Sequence, residues 1–89
     1  MGYIDAGSTK KVGKYELMLS RPIGRWGTLE LIIYKYKQYS NVMSRRKVYS
    51  TGYLPSQFAI DMYKKLSSVN TIESYLKQKI TKAGKPRIR

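Results

Sequence analysis

The stretch LELIIYKYKQYS, Leu29 to Ser40, changes character halfway. Its first half is apolar and its second half alternates tyrosine with lysine. β-Branched and aromatic residues predict one strand from about Thr28 to Tyr39. Side chains alternate across a strand, so Leu29, Leu31, Ile33, Lys35 and Lys37 share one face, and Glu30, Ile32, Tyr34, Tyr36 and Gln38 share the other. Two assignments follow. If the leucine face lies on the core, Tyr34 and Tyr36 stand on the opposite surface. If Ile32, Tyr34 and Tyr36 are the core stripe instead, the lysines are merely solvated.

Upstream, YELMLSR alternates with Tyr15, Leu17 and Leu19 on one side, which marks a half-buried strand. RPIGRWG, from Arg21 to Gly27, must turn because it holds Pro22, Gly24 and Gly27. The opening MGYIDAGSTKKVG has three glycines and no apolar period, and residues 1–13 read as an extended or mobile arm. Downstream, SNVMSRRK reads as a basic turn and Val48 to Leu54 as a short strand, with Gly52 marking its end or a bulge. Gaps this short suit hairpins, and parallel pairing would need crossovers the chain has no room for.

From Pro55 the period becomes helical. Phe58, Met62, Leu66, Val69, Ile72, Leu76 and Ile80 recur at spacings of three and four. Pro55 suits the first helical turn, and Asn70 followed by Glu73 has capping spacing. The expectation is one kinked helix, or two running from Pro55 to about Ser67 and from Thr71 to about Ile80. The fold class is thus α+β: a three- or four-stranded antiparallel sheet with a C-terminal helix, kinked or split, packed on one face. The domain would span residues 14–80, and residues 81–89 would form a basic tail. A sheet covered on one side leaves its other face open.

The 89 residues carry 18 Lys and Arg against five Asp and Glu, a net charge of +13. The excess is localised. Residues 21–54 carry seven basic and one acidic side chain and residues 77–89 six and none, whereas 55–76 are balanced. Such localisation is the footprint of a polyanion, because each cation that neutralises a phosphate releases counterions. No leader is evident and no apolar run nears the ~20 residues of a membrane helix. An intracellular protein, cytoplasmic or nucleoid-associated and without a membrane partner, is expected.

Catalysis has little to work with. There is no histidine or cysteine, and the five acids form no close pair or metal-ligand spacing. A carboxylate-only metal nuclease would require Glu16 and Glu30 to meet across neighbouring strands. No enzyme, cofactor or metal is expected.

If Tyr34 and Tyr36 lie on the open face, they offer flat rings flanked by cations, in a run that alternates rings with Lys35 and Lys37 and ends at Tyr39. Single-stranded nucleic acid binds such surfaces, with bases stacking on rings and cations following phosphates. The triplet Arg45, Arg46 and Lys47 would add phosphate contacts from the turn. Arg21, Arg25 and Trp26 either clamp a strand at a hairpin tip or, for Trp26, fold back to lid the core. Duplex reading would want a recognition helix aimed at base edges, and the helical region here is electrically neutral.

With these elements placed, the chain from about Lys14 to Lys77 resembles the single-stranded-DNA-binding transcriptional coactivators related to positive cofactor four and, more distantly, the Whirly proteins. The resemblance rests on KYELMLSR, TLELIIYKYKQY, RRKVYSTGYL, a helix opened by LPSQF where the family has Asn-Pro-Glu-Gln-Trp, and the helix end LSSVNTIESYLK. It implies a curved four-stranded sheet, dimerisation through the helices and binding of single-stranded or melted DNA on the concave face. Lys35, Tyr36, Lys37, Arg45, Arg46 and Lys47 match family positions. Leu54 stands where the family has its Asn cap, Arg25-Trp26-Gly27 is extra, and the helix end is nearly neutral where the family's is acidic.

The expected protein is therefore a non-catalytic, homodimeric binder of single-stranded DNA, with RNA as a further substrate and with little base reading. Two other readings stand beside it: a small ribosomal protein packed on structured RNA, and an inhibitor that docks on a nucleic-acid machine.

Overall fold

The computed structural model describes residues 4–24, 26–39 and 42–84, and only the backbone of residues 38, 39, 42, 43 and 80–84. Four strands form one antiparallel meander in chain order: β1 (Thr9–Val12), β2 (Tyr15–Ser20), β3 (Thr28–Tyr39) and β4 (Val42–Pro55). Two helices follow, α1 (Ser56–Lys65) and α2 (Val69–Gly84). The fold is α+β, with four strands and a split C-terminal helix.

Register settles the parity of β3. Leu17 pairs with Ile33 and Leu19 with Leu31, and these four side chains, with Leu29, are fully buried. They meet Ala59, Tyr63, Leu66, Ile72 and Leu76 from the helices. Leucine at every second position supplies one continuous apolar face, and each such side chain contributes about 1.5–3 kcal/mol on burial. Glu16, Tyr34 and Tyr36 therefore point away from the helices.

Several sequence expectations need correction, among them the end of the domain: α2 runs past Ile80 to Gly84, into residues 81–89, whose sequence reads as a tail. Residues 1–13, read as an arm, contain β1, which is tied to β2 by Thr9–Met18 through Val12–Tyr15 pairing. Before it, Gly7 N–H donates to the Leu19 carbonyl at 2.7 Å, and Arg21 pairs with Asp5 at 3.0 Å. Lysines disguise this strand. Lys10 lays its ammonium 4.7 Å from the Tyr63 ring centroid on the helix side, so its stem serves where an apolar residue would.

The basic turn is also mostly strand. β4 starts at Val42, so Arg45, Arg46 and Lys47 pair with Tyr36, Lys35 and Tyr34 respectively. Charge patterning suggested a loop, but cross-strand partners decide strand formation.

On α1, finally, the buried positions are Ala59 and Tyr63, and Phe58 is 62% exposed. Small Ala59 lets the helix backbone approach the sheet and turns the larger Phe58 outward. From Leu66 onward the expected stripe holds through Ile72 and Leu76; the Ile80 side chain lies outside the described residues.

The break between the helices is capped two residues earlier than Asn70 implied. Thr71 N–H donates to Ser68 Oγ at 3.2 Å and Ser68 N–H to Thr71 Oγ1 at 3.1 Å, a reciprocal pair that satisfies helix-start donors. Glu73 is thereby free for other work: it accepts from the Tyr15 hydroxyl at 3.1 Å and pairs with Lys14 at 3.4 Å. The start of α2 also presses on the β1–β2 turn. Gly13 has φ +62°, and a Cβ there would lie 2.4 Å from Val69 Cγ2.

Candidate nucleic-acid interface

Two irregularities in β4 determine what the open face carries. Between Glu30–Tyr53 and Ile32–Ser50 the register shifts at Gly52, whose φ of +76° suits a bulge. Between Ile33–Tyr49 and Tyr34–Lys47 it shifts again, leaving Val48 as an extra residue. Tyr49 and Val48 both pack toward the core. Strict alternation from Tyr49 would have sent Lys47 and Arg45 under the helices; the extra residue reverses this. Arg45 and Lys47 stand on the open face beside Tyr36 and Tyr34, and Arg46 faces the helix side beside Lys35.

Glu16 organises the open face. One of its carboxylate oxygens accepts from the Tyr36 hydroxyl at 2.7 Å and from Arg45 Nη1 at 2.7 Å. The Tyr36 hydrogen bond, then Arg45 and Lys11, hold the Glu16 carboxyl below its ordinary range despite partial burial. The same bond raises the Tyr36 phenol. Each ring also carries a cation: Arg45 lies 4.0 Å from the Tyr34 centroid, and Lys11 lies 4.7 Å from that of Tyr36. The result is a row of two rings, two ring-bound cations and one acceptor, with exposed Lys47 at its margin.

The predicted residues thus divide among three places. Tyr34, Tyr36, Arg45 and Lys47 share the open face. Lys35, Lys37 and Arg46 line a cleft of about 140 Å³ with Val48 on the helix-side face. Arg21 and Trp26 lie in the β2–β3 connection, at the opposite end of the sheet from the β3–β4 hairpin. Trp26 is 83% exposed, so it does not lid the core. Arg21 is engaged by Asp5. Arg25 and the Tyr39 side chain lie outside the described residues.

Lys11 and Glu16 went unnoticed as members of the site. Lys11 falls in the stretch that reads as an arm, and the sequence around Glu16 carries no sign of a role beyond that of a candidate metal ligand. That nuclease geometry is not formed. Glu16 lies opposite Tyr34 whereas Glu30 lies opposite Ser20, four residues further along and about 13 Å away. Glu30 instead accepts from the Ser50 hydroxyl. Among the described residues, no group of three potential metal ligands forms, and no helix is long and apolar enough to cross a membrane.

Compared with protein-family models, with curated proteins and with solved structures, the chain matches none.

Proposed function

We propose that this protein binds single-stranded nucleic acid on its open sheet face, without catalysis and with little base reading. The observation that carries this is the placement of Tyr34 and Tyr36 side by side on the face away from the helices, each with a cation over its ring. A base that displaces Arg45 from Tyr34 gives up a cation–π contact worth about 0.5–1 kcal/mol at an exposed position. It gains stacking worth about 1–3 kcal/mol. The displaced guanidinium remains beside the base, within reach of its phosphate. The exchange is favourable, and every base has a face to stack, so sequence matters little.

Single-stranded DNA is the preferred partner in this reading, and a role in transcription and a helix-mediated homodimer follow from the resemblance to the positive cofactor four-related coactivators. The four-strand meander followed by helix supports that resemblance. Titration of labelled single-stranded and duplex oligonucleotides at several salt concentrations tests the reading. Single strands should bind more tightly throughout, and equal binding of duplex would sink it. Co-sedimentation with ribosomal subunits through high salt would favour the structured-RNA alternative.

A further inference from the structure

The cations of the β3–β4 hairpin are not equivalent. On the open face Arg45 is paired with Glu16 at 2.7 Å. On the helix side, Lys35 and Arg46 are direct cross-strand partners, and among the described residues no ion pair holds either of them. With Lys37, two positions along β3, they surround a cleft of about 140 Å³ floored by Val48. Its described lining offers three cations and no ring on which a base could stack, so it suits a compact anion such as phosphate. Among the described residues, cations without an ion pair thus stand on the back of the hairpin, at Lys35 and Arg46, as well as on its front, at Lys47.

β4 is at the edge of the sheet, and among the described residues no strand pairs with its outer side. Lys47 and Arg46 are consecutive and point to opposite faces. A chain of phosphates leaving Tyr34 past Lys47 has only the edge of β4 to cross before it meets Arg46 and Lys35.

We propose that Lys35, Lys37 and Arg46 form a second, separate subsite for backbone phosphate, and that a bound single strand passes from the tyrosine face around the β4 edge to reach it. This rests on the single-strand reading above and adds a path and a minimum length to it. The tyrosine face takes bases and the back cleft takes phosphate alone. Short oligonucleotides occupy the first and long ones occupy both.

The test uses dT6 and dT20, labelled for anisotropy, against the full chain across a salt series. Each phosphate neutralised on a single strand contributes about 0.7 to the slope of log affinity against log salt. The double variant Lys35→Ala/Arg46→Ala should lower the dT20 slope by about 1.4 and leave dT6 binding unchanged. Lys64→Ala/Lys65→Ala, which removes equal charge from exposed positions on α1, should leave both oligonucleotides unaffected. Lys35→Arg/Arg46→Lys should keep the wild-type slope. An unchanged dT20 slope in the first double variant overturns the subsite while leaving the single-strand reading intact. Equal losses for dT6 and dT20 overturn the path around the edge, because the cleft is then part of the first site. If the wild-type chain prefers duplex, the single-strand reading fails and the subsite fails with it.

Discussion

The guanidinium of Arg45 lies 4.0 Å from the ring centroid of Tyr34, reaching it diagonally across the open face while its nitrogen bonds Glu16. Arg45 therefore shields a stacking surface and is held there by a carboxylate, so three side chains set the availability of one ring.

Tyr34→Ala and Tyr36→Ala should each weaken single-strand binding roughly 5- to 150-fold, the range that about 1–3 kcal/mol of stacking implies. Neither ring belongs to the core cluster, so circular dichroism should report a folded protein for both. Loss of the cooperative unfolding transition would mean that the rings are structural.

Glu16→Gln should tighten binding several-fold, since it removes the negative charge from this row and loosens Arg45. It should also change the acid limb of stability. The folded-state carboxyl titrates below its unfolded value of about 4.3, so its contribution is present above that value and fades as pH falls through the folded one. Urea midpoints between pH 6 and the acid limit should therefore fall less steeply in Glu16→Gln than in wild type. Parallel profiles would refute the role given to Glu16.

Gly13→Ala should destabilise the fold by about 1–3 kcal/mol. It places a Cβ 2.4 Å from Val69 Cγ2 and forces alanine to φ +62°. Adding Val69→Ala removes the collision and leaves the backbone strain, so thermal melts should show partial rescue.

Ser68→Ala should cost about 1 kcal/mol, the usual loss for a helix cap. Asn70→Ala should be near neutral, because the reciprocal bonds run between Ser68 and Thr71. The opposite ranking in chemical denaturation would return the cap to Asn70.

Much of the fold was legible because leucine is unambiguous. Leu17, Leu19, Leu29, Leu31 and Ile33 lie on one parity, which narrowed Tyr34 and Tyr36 to two assignments, and the register and burial select the one opposite the helices. Lysine and arginine are ambiguous, since their stems pack and their heads solvate. β1 and the first half of β4 were hidden for this reason. The bulge at Val48 has no local signature: valine fits a regular strand as well, and only the register against β3 reveals it. Helix packing added a smaller error at Phe58, where periodicity alone could not weigh its bulk against the closeness that Ala59 permits. The role of Glu16 depends on two residues 20 and 29 positions away, beyond any local pattern.

Val48 also acts like a frame marker for everything on its N-terminal side in β4. Pair that one residue regularly with Tyr34, instead of leaving it as a bulge, and Arg45, Arg46 and Lys47 would each slide by one pairing partner, exchanging front for back with no change in composition or net charge. Arg46 would then stand among the tyrosines, and Arg45 and Lys47 would move behind them. A single sequence has in this way two mirror allocations of charge open to it, and a chain lacking Val48 would be fixed in the present one, with Lys47 following directly on the Ile33–Tyr49 pair.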